Sequence, residues 1–217
     1  KALPDKYFAA EKQIRLGNSA DAAYGLPRLL GVTDGDIAYY LLEREVAIER
    51  EFATHGDKMD QANLADILAG NYIDSDGKTK ALDDLMLHPH VQMAKLERHH
   101  VLALRLYTTV AFKSLNNPLR DPDLGPKQPH PFPVTVHLLT EAIKRLRAVE
   151  SERSSRNERV VLWRGMRNRT VPDDFLAEGG SEKAPMSTTH DLAVAVRYST
   201  SESSVLLKLD TNGFRDG

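Results

Sequence analysis

The sequence predicts an α+β fold in which helices occupy the first part of the chain and strands the last part. Two observations predict it. Apolar residues recur with helical spacing in several segments up to about residue 149, and short apolar runs follow a polar stretch at 151–158. Helices first and strands last are typical of an α+β protein, because alternating βαβ units would mix the two along the chain.

The helical part contains several separate segments. The predicted helices are 36–52, 62–68, one that begins at Leu82, 101–115 and 134–149. Segment 101–115 is apolar nearly all round, which predicts a helix buried on most sides. Segment 118–133 holds six prolines, which predicts a loop.

The last part contains three predicted strands, with one predicted helix between each strand and the next. The strands are 160–163, 186–189 and 205–209, and the helices are 172–175 and 191–199. Asp191 precedes the second helix, where its side chain is placed to cap the first turn.

Composition excludes several classes of protein. The chain has 217 residues, no cysteine, and 29 basic against 31 acidic residues, giving a net charge of −2. Without cysteine there are no disulfides or thiolate metal sites. The balanced charge argues against bulk nucleic-acid binding, and no apolar run approaches the roughly 20 residues of a membrane span. The lack of cysteine and of a recognisable signal peptide favours a cytoplasmic location.

Four histidines, two of them adjacent, are the candidate metal ligands. They are His88, His90, His99 and His100. Their spacing does not match a pair of ligands one helical turn apart, so surface or capping roles are expected and no metal is predicted. Segment 74–77 (DSDG) is similar to part of a calcium loop. The positions on either side lack the required carboxylates, so a turn is the better interpretation.

Arg164 and Gly165 form the sharpest local feature, because they end an apolar strand. Moving an arginine out of water is costly unless an anion pairs with it. That anion is either a carboxylate of the protein or a ligand phosphate, which suits the forked donors of arginine. Gly165 would let a ligand approach the backbone closely.

Ser187, Thr188 and Thr189 place three hydroxyl groups in succession at the end of a predicted strand. These hydroxyls could bond to the hydroxyls of a ribose. They could equally cap the helix that begins near Asp191.

Six short stretches together resemble the arginine–serine–glutamate clade of mono-ADP-ribosyltransferases. They are 106–109 (LYTT), 115–120 (LNNPLR), 162–165 (LWRG), 186–189 (MSTT), 191–199 (DLAVAVRYS) and 205–209 (VLLKL). The resemblance covers about residues 80–217. It implies a catalytic domain over 81–217, with a split mixed β-sheet and NAD in the cleft. Residues 1–80 match nothing in the family, and we expect them to form a helical N-terminal extension.

The resemblance also implies roles for individual residues. Arg164 would hold the NAD phosphates and the nicotinamide-side ribose, Gly165 would contact the nicotinamide amide, and Ser187 would brace the active site. Binding residues would further include Thr188, Thr189, Tyr107 and Asn116. The substrates would be NAD and an acceptor protein with an exposed arginine, without a metal.

One departure from the family concerns its catalytic glutamate, which lies on a strand beyond 205–209. Glu178, Glu182 and Glu202 all come too early to match it. We therefore expect the sequence to be a fragment with little transferase activity of its own. Two alternatives remain open: an NAD- or protein-binding module without catalysis, and an NAD glycohydrolase in which water is the acceptor.

Overall fold

The computed structural model describes residues 25–31, 43–74, 76–121, 128–153, 159–180 and 182–211. The described residues up to Arg153 belong to one compact unit, and those from Arg159 belong to a second. The first is helical and the second contains an antiparallel pair of strands, so the predicted α+β class is confirmed. The predicted domain boundary at residue 80 falls inside the helical unit.

The helical unit contains eight described α-helices and one 3-10 turn. The helices are α1 (Leu26–Leu30), α2 (Arg44–His55), α3 (Lys58–Leu68), α4 (Leu82–Met86), α5 (Pro89–Met93), α6 (Arg98–Tyr107), α7 (Phe112–Asn116) and α8 (Pro133–Arg153), with the 3-10 turn at Pro118–Arg120. Of the predicted helix 36–52, residues 36–42 lie outside the described residues, and the described helix α2 begins at Arg44.

The core of the helical unit forms around α8, which packs against α1, α2 and α6. Its fully buried apolar side chains belong to residues that precede position 80 in the sequence and to residues that follow it. They include Ile48, Phe52, Leu102, Leu106, Leu138 and Leu139. Because α2 and α3 pack against the same helix α6 that contacts α8, residues before and after position 80 share one core.

The predicted single helix at 101–115 is wrong in one respect, because the structure ends α6 at Tyr107 and starts α7 at Phe112. Two threonine hydroxyls stabilise the break by bonding to carbonyls of the preceding turn. Thr108 donates to the Arg105 carbonyl at 2.7 Å, and Thr109 donates to that of Leu106 at 2.8 Å. Such local bonds compete with the continuation of a helix.

The turn predicted at 74–77 is confirmed at its described residues, Asp74, Asp76 and Gly77. Its flanks form an antiparallel bridge between Ile73 and Thr79, and the Gly77 amide donates to the Asp74 carbonyl at 2.9 Å. Gly77 has a φ of 76°, a left-handed conformation that glycine adopts at little steric cost.

The strand unit is built on β1 (Val160–Arg167) and β2 (Ser204–Thr211), which pair antiparallel with Arg164 opposite Leu207. These strands contain the predicted segments 160–163 and 205–209. The unit also contains helices α9 (Asp173–Glu178) and α10 (Leu192–Ser199), and α10 packs on the strands. Helix α9 begins at Asp173, one residue after the predicted start, because Pro172 is its N-cap.

Helix α10 is stabilised at both ends by side chains of its own unit. The Asp191 carboxylate accepts the amide hydrogen of Ala193 at 2.8 Å, which confirms the predicted cap. At the other end, Arg167 donates to the carbonyls of Arg197 and Tyr198 at 3.1 and 3.2 Å. A cation at a helix C-terminus also interacts favourably with the helix dipole.

The predicted strand 186–189 is wrong for most of its length. Among the described residues it makes one isolated bridge, in which Trp163 and Thr189 exchange backbone hydrogen bonds of 2.7 and 2.9 Å. The segment therefore lies beside β1 without forming a continuous ladder. Over the ranges that the structure describes, the sheet has two strands, not the three predicted.

Candidate functional site

Arg164 lies in the middle of β1 and has a largely buried side chain, with 15% of it exposed. Its Nη1 donates to the Ser187 carbonyl at 3.4 Å, across 23 positions of sequence. The bridge between Trp163 and Thr189 brings the two segments side by side. The structure thus brings together two predicted site residues, Arg164 and Ser187.

Among the residues that the structure describes, an anion beside Arg164 is Glu182, a residue that the sequence analysis set aside as the catalytic glutamate. Glu182 Oε2 lies 3.8 Å from Arg164 Nη2, and 25% of the glutamate side chain is exposed. Its other oxygen, Oε1, accepts the amide hydrogen of Ala184 at 3.1 Å, which orients the carboxylate. The signal that could have found this pair is the arginine's need for an anion, combined with the only glutamate between 179 and 187.

Gly165 faces helix α10. A Cβ added there would lie 1.8 Å from the Ala195 carbonyl oxygen, so this position has no room for a side chain. Since neighbouring residues of a strand point to opposite faces, Arg164 points away from α10. Glycine is required here because the backbone of α10 approaches it closely. The predicted contact of Gly165 with nicotinamide stays a prediction.

The three hydroxyl residues have different environments. Ser187 is exposed, whereas Thr188 and Thr189 are half-buried. The Thr189 hydroxyl accepts the amide hydrogen of Asp191 at 3.1 Å, so it takes part in the start of α10. Of the two interpretations of these hydroxyls, the structure therefore supports helix capping for Thr189, and the ribose contacts stay predictions.

Tyr107 and Asn116, the remaining predicted binding residues, lie in the helical unit and contact each other. The Asn116 side-chain amide donates to the Tyr107 hydroxyl at 3.1 Å. The break between α6 and α7 allows this contact, because it folds the second helix back toward the end of the first. The predicted residues thus form two groups, one in each unit.

Among the described residues, one cluster of side chains could hold a metal ion. It consists of Glu97, His99 and His100, whose potential ligand atoms lie within 4.8 Å of one another. Arg44 Nη1 already lies 3.1 Å from His99 Nε2 and 3.6 Å from a Glu97 oxygen, so a cation is present beside two of the candidate ligands. His100 Nδ1 accepts the Glu97 amide hydrogen at 3.1 Å, and its Nε2 lies 3.3 Å from Glu141.

These contacts give His100 the predicted capping role, in a buried position. Burial lowers the pKa of His100 and lowers the pKa of His99 to about 4, so both rings are neutral near pH 7. The cluster is best explained as a helix cap joined to an ion-pair network, and the absence of a bound metal stays a prediction.

Comparisons with protein-family models, with curated proteins and with solved structures found no match to this chain. Among the described helices, none is both long enough and apolar enough to cross a membrane.

Proposed function

We propose that this protein binds NAD and transfers its ADP-ribose to a protein side chain, arginine being the favoured acceptor, with release of nicotinamide. The observation that carries the proposal is the contact of Arg164 with Ser187, because the proposal needs these two residues at one site. A largely buried guanidinium is also a suitable group for a phosphate, since its fork can donate two hydrogen bonds to one anion.

In the proposed reaction the bond between nicotinamide and C1′ of the ribose breaks, and a bond from C1′ to an acceptor nitrogen forms. The acceptor loses a proton, and nicotinamide leaves with the bonding electrons. Arg164 would hold the phosphates while Ser187 would bind the ribose next to the breaking bond. The cation that develops on the ribose requires a carboxylate nearby, which the resemblance puts on a strand after β2.

The test is binding and turnover measured separately with the chain of 217 residues. Calorimetry would give the Kd for NAD, and NAD labelled in the nicotinamide or in the adenylate would report release and transfer to an arginine-rich acceptor. Arg164→Ala should weaken binding about 10- to 150-fold, the range of one charge-assisted hydrogen bond of roughly 1.5–3 kcal/mol. Arg164→Lys should also weaken it, because lysine lacks the fork.

The matched control is Arg159→Lys, because Arg159 is likewise an arginine of this unit that pairs with a carboxylate, that of Asp210. Its side chain is 70% exposed, and its replacement should leave the Kd unchanged. Residues 1–217 contain no glutamate that matches the family's, so binding without turnover in this chain agrees with the proposal. In a chain that also carries the glutamate strand, binding without release of nicotinamide would favour the non-catalytic module, and release without transfer would favour a glycohydrolase. A wild-type chain that does not bind NAD would contradict the proposal.

A further inference from the structure

The geometry points to Glu182 as an internal anion that occupies Arg164 in the empty protein and competes with the phosphates of the ligand for its guanidinium. This inference rests on the proposed function for the identity of the ligand. Its physical basis is the ion pair between Arg164 Nη2 and Glu182 Oε2, which are 3.8 Å apart.

The ion pair between Arg164 and Glu182 is a loose one. At 3.8 Å the two atoms attract each other electrostatically but are too far apart for a hydrogen bond, whose usual separation is about 2.7–3.2 Å. The contact of Nη1 with the Ser187 carbonyl is also long, at 3.4 Å. A pyrophosphate offers several anionic oxygens at the spacing of the guanidinium fork, so it would bind Arg164 more strongly than Glu182 does.

Glu182 also makes a contact that does not depend on its negative charge. Its Oε1 accepts the Ala184 amide hydrogen at 3.1 Å, and a glutamine oxygen would accept the same hydrogen bond. The carboxylate is only partly buried, with a quarter of its side chain exposed, so it can move into water when a phosphate replaces it. Its negative charge would repel any phosphate that arrives at Arg164, and this repulsion adds to the competition.

The experiment compares Glu182→Gln with Glu178→Gln at one ionic strength. Both replacements remove one negative charge from the strand unit, but Glu178 is exposed at the end of α9. The probes are NAD and inorganic pyrophosphate, with the Kd of each measured by calorimetry on the whole chain. Glu182→Gln should tighten binding of both probes roughly three- to fivefold, the effect expected for a partly exposed ion pair, and Glu178→Gln should change neither by more than about twofold.

A double variant tests whether Glu182 acts through Arg164. In the background of Arg164→Gln, the change Glu182→Gln should alter the Kd less than it does in the wild type, since no guanidinium is left to release and only the direct repulsion between Glu182 and the phosphate remains. The unfolding midpoint of each variant in urea shows whether the fold is intact. An unchanged midpoint together with tighter binding is expected for competition and not for a structural role.

The outcomes separate this inference from the proposed function. Tighter binding of pyrophosphate by Glu182→Gln, with no binding of NAD by any variant, would support the competition and contradict the transferase proposal. Binding of NAD that Glu182→Gln weakens or leaves unchanged would overturn the competition, because Glu182 would then position Arg164 or have no part in binding. The same conclusion would follow if neither the wild type nor Glu182→Gln bound pyrophosphate.

Discussion

The Glu51 carboxylate of α2 caps the start of α8 through Thr135, a residue 84 positions later in the chain. One oxygen of Glu51 accepts hydrogen bonds from the Thr135 amide at 3.0 Å and from its hydroxyl at 2.6 Å. The other oxygen accepts the Val134 amide hydrogen at 2.7 Å. The first amides of a helix lack partners within the helix, so this carboxylate supplies them from another element.

The first prediction concerns this cap. Glu51→Ala should lower the free energy of unfolding by about 1–3 kcal/mol, because it leaves amide hydrogens of α8 without their acceptor. Urea denaturation followed by circular dichroism measures the change. Glu49→Ala, an exposed glutamate of the same helix, is the control and should change stability by less than about 0.5 kcal/mol. Equal effects of the two replacements would show that the cap adds nothing.

The second prediction concerns the pH dependence of stability, which should contain a contribution from His130. Burial lowers the pKa of this 2% exposed histidine to about 4. Its Nδ1 accepts the Phe132 amide hydrogen at 2.9 Å, and its Nε2 lies 3.0 Å from the Leu115 carbonyl and can donate to it. The neutral ring satisfies both contacts, and a proton on Nδ1 would break the first.

The sign follows from the two pKa values. The unfolded chain, with a histidine pKa near 6.5, binds more protons than the folded chain between pH 6.5 and 4. Stability is therefore complete above pH 6.5 and falls with the pH toward 4, by at most about 3 kcal/mol for this residue. Urea unfolding at several pH values should show a shallower fall in His130→Asn than in the wild type. The exposed His190→Asn is the control, and it should keep the wild-type slope.

The third prediction separates two possible roles of Gly165. Gly165→Ala should destabilise the strand unit by at least about 3 kcal/mol, because its Cβ would lie 1.8 Å from the Ala195 carbonyl oxygen of α10. Thermal unfolding measures the loss. If Gly165→Ala kept the wild-type melting temperature while NAD binding was lost, the glycine would serve ligand approach and not helix packing. The control is Gly77, which has a positive φ and open space where a Cβ would lie. Gly77→Ala should lower the free energy of unfolding by about 1 kcal/mol, through backbone strain alone.

The fourth prediction concerns the contact of Tyr107 with Asn116. Tyr107→Phe removes the acceptor of the 3.1 Å hydrogen bond and should lower stability by about 1 kcal/mol. A double-mutant cycle with Asn116→Ala should give a coupling energy of about 0.5 kcal/mol or more. A coupling energy near zero would contradict the hydrogen bond. If NAD binding also weakened in Tyr107→Phe, the role that the resemblance implies for Tyr107 would gain support.

Much of the fold could be predicted because its signals are local. The apolar runs of β1 and β2, the periodicity of α8 and the cap at Asp191 each depend on residues within a few positions of one another. The predicted strand 186–189 failed for a reason that is not local. A ladder needs successive pairs with a neighbouring strand, and this segment pairs with β1 only at Thr189.

The sequence by itself determined the α+β class, most of the helices, both strands and the need of Arg164 for an anion. The tertiary structure decided which anion it is, since only the path of the chain puts Glu182 beside that guanidinium. It also decided that Glu51 caps a helix 83 positions away. Periodicity and capping act over one or two turns of chain, whereas a side chain's distant partners depend on how whole elements pack, and no local pattern encodes that packing.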